Sequence, residues 1–164
     1  MGDASGSNPN RAGDQPSFSP APSDVFHRYL IALIEDNPAD AFLVQEAITN
    51  RHISASLVVI RDGEKAIRAI AGVDADDNAV RPNLFLLDLN LPTRTGEEVL
   101  ARIRNSRRLS TTPVVVMTSS DSPKDRATVE SLGASRFFCK PSDYDSFMQL
   151  GEAIEEILTS IQPS

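Results

Sequence analysis

The sequence predicts an α/β fold, a doubly wound parallel sheet of five strands in the order 2-1-3-4-5 with helices on both faces. Three observations carry that prediction. First, strand-length apolar runs recur at residues 30–34, 57–60, 84–87, 114–117 and 137–139. Runs that are apolar at every position belong to strands buried on both faces, as in a parallel sheet. Second, the stretches between them carry helical spacing and helix-start signals, so strand and helix alternate as in βαβ units. Third, four of the five runs lead into reactive or charged residues: Glu35-Asp36-Asn37, Asp88, Thr118 and Lys140-Pro141. The run at 57–60 does not. In such sheets the site lies at the carboxyl ends of the strands, near the point where strand order reverses.

Each element has a local reason. Residues 1–24 are rich in Gly, Ser, Asn, Asp and Pro and carry one aromatic side chain, Phe18. Such a segment buries too little to offset its ordering entropy and reads as a disordered tail, leaving 25–164 as the folded domain. After the first strand, Asn37 is suited to cap a helix that has Pro38 at its first position and runs to Asn50. The second strand spans 55–61, and Asp62 caps a helix with Ala66, Ile67 and Ile70 on one face. Residues 72–83 read as an acidic, turn-rich connection. The third strand ends at Asp88, and Thr95 with Glu98 forms a capping box for a helix with Val99, Leu100 and Ile103 inward. A polar loop, 106–112, precedes the fourth strand. Pro123 opens a fourth helix that Gly133 stops. The fifth strand leads through Pro141 into a last helix over 143–161, so the architecture is a flavodoxin-like (βα)5 fold.

Composition narrows the function. Apolar content of 40% and charged content of 24% fit a soluble globular domain. A net charge of −7 argues against general affinity for nucleic acid or anionic membrane. Cys139 is the one cysteine, which excludes an internal disulfide. No apolar stretch approaches the ~20 residues that span a bilayer, and the N-terminus lacks the apolar core of a signal peptide. Gly6 stands where a myristoylation motif wants Ser or Thr. The expected compartment is cytoplasmic. After Lys140 only 24 residues remain, room for one helix and a short tail but not for an output domain.

The convergent residues have a joint chemistry. A carboxylate such as Asp88 can attack phosphorus to form an acyl phosphate. Nucleophile and phosphoryl group are both anionic, so positive charge must be supplied. Glu35 and Asp36 offer oxygens to Mg²⁺, which favours carboxylates and water. Lys140 offers a compact cation, and Thr118 a hydroxyl donor. Taken singly, these residues could be a solvated strand end, a surface lysine and a strand-former; only the constellation raises them.

Glu35-Asp36-Asn37, Leu87-Asp88-Leu89-Asn90-Leu91-Pro92, Met117-Thr118-Ser119-Ser120 and Lys140-Pro141, in this order and each at the end of an apolar run, resemble the receiver domain of two-component response regulators. The resemblance runs from about Arg28 to the C-terminus. Asn37-Pro38-Ala39-Asp40, Asp88-Leu89-Asn90-Leu91-Pro92 and Lys140-Pro141-Ser142-Asp143 look most like the stand-alone regulators that accompany cyanobacterial and bacterial phytochromes. The resemblance implies that Asp88 is the phospho-acceptor, with Thr118 and Lys140 beside it. Asp36 and Asp88 would bind Mg²⁺ directly, Glu35 through water and Asn90 through its carbonyl. It also implies a cis Lys140-Pro141 bond and a switch in which Phe137 turns inward as Thr118 moves toward the phosphate, although Phe137 also reads as plain core. Asn90 and Ser120 would flank the water that hydrolyses the acyl phosphate.

The implied partners are a histidine kinase, phytochrome-like by the finer resemblance, or a histidine phosphotransfer protein, together with a downstream target. The last helix carries Phe147, Leu150, Ile154, Ile157, Leu158 and Ile161 at helical spacing. That stripe outruns what one strand needs, which predicts a homodimer through helix 4, strand 5 and the last helix, with a kinase-docking patch as the alternative. Cys139 reads as a small buried hydrophobe, and His27 and His52 have no relay or metal partner by spacing. Arg102, Arg104, Arg107 and Arg108 read as a solvated basic face. Two alternatives compete. A haloacid-dehalogenase-type phosphatase needs a second Asp two residues after the nucleophile, where Asn90 stands. A phosphorylation-independent scaffold would be expected to lack one of the acidic set, the acceptor or the lysine.

Overall fold

The computed structural model describes residues 15–22 and 27–161. In chain order the elements are β1 (Tyr29–Ile34), α1 (Pro38–Asn50), β2 (Ala55–Ile60), α2 (Gly63–Ala75), β3 (Leu84–Asp88), α3 (Gly96–Arg104), β4 (Val114–Thr118), α4 (Pro123–Ser131), β5 (Arg136–Cys139), α5 (Tyr144–Phe147) and α6 (Leu150–Ser160). The strands form one sheet in the order β2-β1-β3-β4-β5, with every neighbouring pair parallel. Strand order reverses beside β1, so the crevice between the ends of β1 and β3 is where a site is expected.

Side chains alternate across the pleat and build two cores. Ala32, Ile34, Phe85, Leu87, Val114 and Val116 face α2, α3 and Val129 of α4. Ile31, Leu33, Leu84, Leu86, Val115 and Met117 face α1, α5 and α6. The central strands are apolar on both faces for that reason. The predicted helix starts hold: Asn37 Oδ1 accepts the Ala39 N–H at 2.9 Å, Asp62 Oδ1 accepts the Lys65 N–H at 2.7 Å, and Thr95 and Glu98 close a capping box. Ser122 and Asp143 cap α4 and α5 in the same way. Gly133, at φ +97°, ends α4.

Four expectations need correction. The tail is not wholly without fixed structure, because Phe18 is 1% exposed and sits in the core beneath α2. Composition averages over a segment, whereas one aromatic side chain can anchor it by burying a large apolar area. Residues 1–14 and 23–24 of that tail lie outside the described residues. Next, α2 continues through Gly72 to Ala75, since Gly72 lies on the exposed side while Val73 is drawn into the core.

The last helix is two helices. Between α5 and α6 the backbone bonds shorten to i−3 spacing, Gln149 to Ser146 at 3.2 Å and Gly151 to Met148 at 3.0 Å. Phe147, Leu150, Ile154, Ile157 and Leu158 are all buried against the sheet, and only Ile161 remains exposed. The stripe is therefore consumed by the domain's own core.

Of the four arginines only Arg107 is solvated; Arg102, Arg104 and Arg108 are half-buried, and all four are engaged by neighbouring segments. Arg102 pairs with Asp74 at 3.1 Å, and Arg107 pairs with Asp77 and donates to the Asp74 carbonyl. Arg108 donates to the carbonyls of Val73 and Asp76 at 3.0 and 2.6 Å. Helix α2 has no basic residue in its own last turn, so the loop after α3 supplies the positive charge its carboxyl end favours. Arg104 reaches the Gly133 and Thr112 carbonyls at 2.9 and 2.7 Å, tying α3 to the loops flanking β4.

Candidate functional site

The parallel register brings the run ends to one edge. Ile34 is level with Leu87, Asp88 with Met117, and Thr118 with Cys139. Glu35, Asp88, Thr118 and Lys140 therefore meet above the sheet. Glu35 continues the β1 ladder by donating its N–H to the Ile60 carbonyl at 2.9 Å, which sinks its carboxylate to 0% exposure. Asp36, one residue on, is exposed. Carboxylate oxygens of Glu35, Asp36 and Asp88 all lie within 4.8 Å of one another.

Asp88 is 4% exposed. Its Oδ1 accepts the Asn90 N–H at 3.0 Å, which fixes the carboxylate plane and leaves Oδ2 toward Lys140 Nζ at 3.2 Å. Gly96 makes this loop geometry possible: a Cβ there would come within 2.6 Å of Leu89 Cα. The same loop is latched onto α2, where the Pro92 carbonyl accepts the Gly63 N–H at 3.1 Å and Thr93 Oγ1 accepts the Glu64 N–H at 2.9 Å. Thr93 adopts φ 68°, a left-handed conformation that a β-branched residue rarely takes.

Lys140 is the centre of the cluster. Its Nζ donates to Glu35 Oε1 at 2.7 Å, to Asp40 Oδ2 at 2.8 Å and to Asp88 Oδ2 at 3.2 Å, with the side chain 8% exposed. Burial works against its charge, yet the bonds to Asp40 and Glu35 outweigh it and hold the ammonium above lysine's ordinary range. For Glu35, burial and then the hydrogen-bonded neighbour Asp88 push the carboxyl up to about 8, against the pull of Lys140. Three acidic side chains thus share one ammonium, and with Asp36 beside them the acidic groups outnumber it. Hard oxygen donors in negative excess are what a divalent cation of the Mg²⁺ type requires, so the residues present fit such an ion.

The remaining predicted residues fall as follows. Thr118 is 1% exposed, and its Oγ1 accepts the Ser120 N–H at 3.1 Å. Ser120 donates its hydroxyl to Asp125 at 3.0 Å and accepts the Ser122 N–H at 3.1 Å, so it shapes the turn into α4. Phe137 is half-buried against the α2–α3 side of the core, and the Arg126 guanidinium lies 4.9 Å from its ring centroid. The Asn90 side chain is exposed at the rim. The Lys140-Pro141 bond is trans, not cis. Trans is the lower-energy isomer of an X-Pro bond, and Lys140 reaches all three carboxylates from it. Cys139 is exposed rather than buried, because β5 is an edge strand whose two end residues are open to solvent.

Asp40 is the site residue that motif reading passes over. It sits in the first turn of α1, three residues after the cap, where an acidic residue reads as a partner for the helix dipole. Its distance to Lys140 makes it part of the cluster.

Comparison with known proteins decides the family. The response regulator receiver domain matches residues 31–152. The chain belongs to that family. The receiver is 36% identical over 126 residues to the response regulator Rcp1 of Synechocystis sp., covering 77% of this chain and 86% of Rcp1. In structure it resembles the phosphorylated cyanobacterial phytochrome response regulator RcpA, with 37% identity, a TM-score of 0.72, and coverage of 82% of this chain and 96% of that one. It also resembles the Mn²⁺-bound form of Rcp1, with 34% identity, a TM-score of 0.70, and coverage of 83% and 96%. A receiver takes a kinase or phosphotransfer protein as partner and is not an enzyme of the usual turnover kind. Among the described residues no helix is long and apolar enough to cross a membrane.

Proposed function

We propose that this receiver accepts a phosphoryl group on Asp88 from a histidine kinase or histidine phosphotransfer protein and converts it into a change of protein-binding surface. The observation that carries the reading is the Lys140 ammonium, held between the Glu35 and Asp88 carboxylates above the sheet edge.

Asp88 Oδ2 attacks the phosphorus of a phosphohistidine. The new P–O bond forms as the P–N bond breaks, and the electron pair leaves with the imidazole nitrogen. Glu35, Asp36, Asp88 and the Asn90 carbonyl would hold Mg²⁺, which supplies positive charge to the phosphoryl oxygens when bound. Lys140 turns from the carboxylate to a phosphoryl oxygen, a charge-assisted bond. Thr118 donates its hydroxyl to a second oxygen, and its movement opens the space into which Phe137 turns, releasing Arg126. Asn90 and Ser120 flank the phosphoryl group and influence its lifetime. The phosphorylated RcpA and Mn²⁺-bound Rcp1 structures, both similar to this chain, support the acceptor and the cation.

The switched surface is the α4–β5–α6 face, through which the receiver pairs with itself or with a target. Support comes from the exposure of α4, which buries only Val129, and from Phe137 lying at its base. The likeness to phytochrome response regulators makes a phytochrome-like kinase the partner of first choice. A kinase of this kind draws on ATP, so the reading requires the cytoplasm.

The test is acetyl phosphate with Mg²⁺, followed by intact-mass measurement. Wild type gains one phosphoryl group, and Asp88→Asn gains none while keeping its fold. Labelling of Asp88→Asn, or steady turnover of small phosphoesters, overturns the proposal.

A further inference from the structure

We propose that Asp40 is a positioning residue for Lys140, holding the ammonium in the resting receiver and withholding part of its charge from the phosphoryl site. This rests on the reading of Asp88 as acceptor.

An ammonium has three donors, and Lys140 spends each on a different carboxylate. The bonds to Glu35 and Asp40, 2.7 and 2.8 Å, are shorter than the bond to Asp88 at 3.2 Å. Lys140 therefore leans away from the acceptor and toward α1. Glu35 is fixed by the end of β1, whereas Asp40 is carried by α1, whose first turn is set by the Asn37 cap and Pro38. Asp40 is thus placed by a rigid helix start to compete with the acceptor for the lysine. Its side chain is 23% exposed, compared with 8% for Lys140, so the pull is exerted in a largely water-excluded space. A phosphoryl group arriving on Asp88 must draw the ammonium against that pull. Asp40 sets the preference between the two positions. Asp40 is not one of the three carboxylates, Glu35, Asp36 and Asp88, that group around the candidate cation position.

Two measurements on wild type, Asp40→Asn and Asp40→Ala test this. The chain has three lysines, and Lys65 and Lys124 are exposed, so they serve as internal references. Limited acetylation with acetic anhydride, read by peptide mass, should label Lys140 at least about fivefold faster relative to those two once Asp40 no longer holds it. Beryllofluoride, a non-covalent phosphoryl mimic, should bind about three- to tenfold tighter to both variants at saturating Mg²⁺, because the released ammonium is free to meet it. Damage to the fold would weaken mimic binding, so the sign separates the two cases. Unchanged acetylation of Lys140 overturns the holding role. In a variant that melts like wild type, faster acetylation with unchanged or weaker mimic binding overturns the withholding role. If wild type itself binds no beryllofluoride with Mg²⁺, the acceptor reading fails, and the acetylation result still reports whether Asp40 holds the lysine.

Discussion

Phe18 stands edge-on to Phe85, with ring centroids 5.4 Å apart and planes at 83°. The contact pins a segment far from β3 in sequence onto the centre of the sheet, since Phe85 lies on β3 between β1 and β4. The edge-to-face arrangement sets the positive rim of one ring against the negative face of the other. Phe18→Ala removes a fully buried ring and leaves a cavity under α2, and should lower stability by about 3–4 kcal/mol in urea unfolding. A loss below about 1 kcal/mol would show that the segment contributes nothing to the core.

Asp74 should behave as a half-buried staple. Burial alone would raise its pKa, but the Ser106 hydroxyl at 2.6 Å, the Arg108 N–H at 3.1 Å and Arg102 outweigh it and lower it below 3.8. Asp74→Ala leaves these donors unmatched and should destabilise by about 2–3 kcal/mol. The folded pKa lies below the unfolded one, so the contribution is fully present above pH 3.8 and disappears as pH falls through the folded value. The gap between wild type and variant, followed by thermal melting from pH 7 downward, should close in acid. A gap that stays constant across that range would assign the loss to packing instead.

Glu35, Asp88, Thr118 and Lys140 are legible in the sequence because each follows an apolar run, and a parallel register brings run ends to a common edge. The rule weakens where the sheet stops. Cys139 closes an apolar run, yet β5 has a neighbour on one side only and its end is exposed. Asp40 is not legible, because an acid in a first helical turn is explained locally and nothing in its spacing points across to Lys140. Phe18 is hidden by its surroundings, an isolated ring between Pro16 and Pro20 whose partner lies on β3. The arginines after α3 look solvated because their partners, the carboxyl end of α2 and Asp74, come from another element. What sequence misses here are contacts between elements that share no periodic signal.

His52 occupies the left-handed position that closes α1, at φ 54°. Its N–H donates to the Thr49 carbonyl at 3.0 Å, and the Ile53 N–H donates to Ile48 at 3.2 Å. Glycine adopts that conformation without the Cβ clash, so His52→Gly should raise stability by about 0.5–1 kcal/mol. The imidazole is exposed, so little packing is lost. A fall in melting temperature would reveal a stabilising contact of the ring.

Cation binding should depend on pH through Glu35. Burial and Asp88 raise its carboxyl from 4.5 to about 8, so the folded, cation-free receiver holds a proton there that the unfolded chain has released. Between pH 4.5 and 8 the folded state therefore binds more protons, and stability without cation declines as pH rises through that window. A divalent ion needs the ionised carboxylate and must displace this proton, so its apparent affinity should climb with pH, by at most about tenfold per unit, and level off above pH 8. Calorimetric titration with Mg²⁺ at pH 6, 7, 8 and 9 in buffers of different ionisation enthalpy would show the effect. At pH 6 about one proton should be released per cation bound, and at pH 9 close to none. Glu35→Gln should flatten the profile, because the amide has no proton to lose, while leaving Asp36 and Asp88 to hold a weaker site. Equal affinities at pH 6 and 9 in wild type, with no proton release, would mean that Glu35 is already ionised and that Lys140 governs its charge more strongly than burial does.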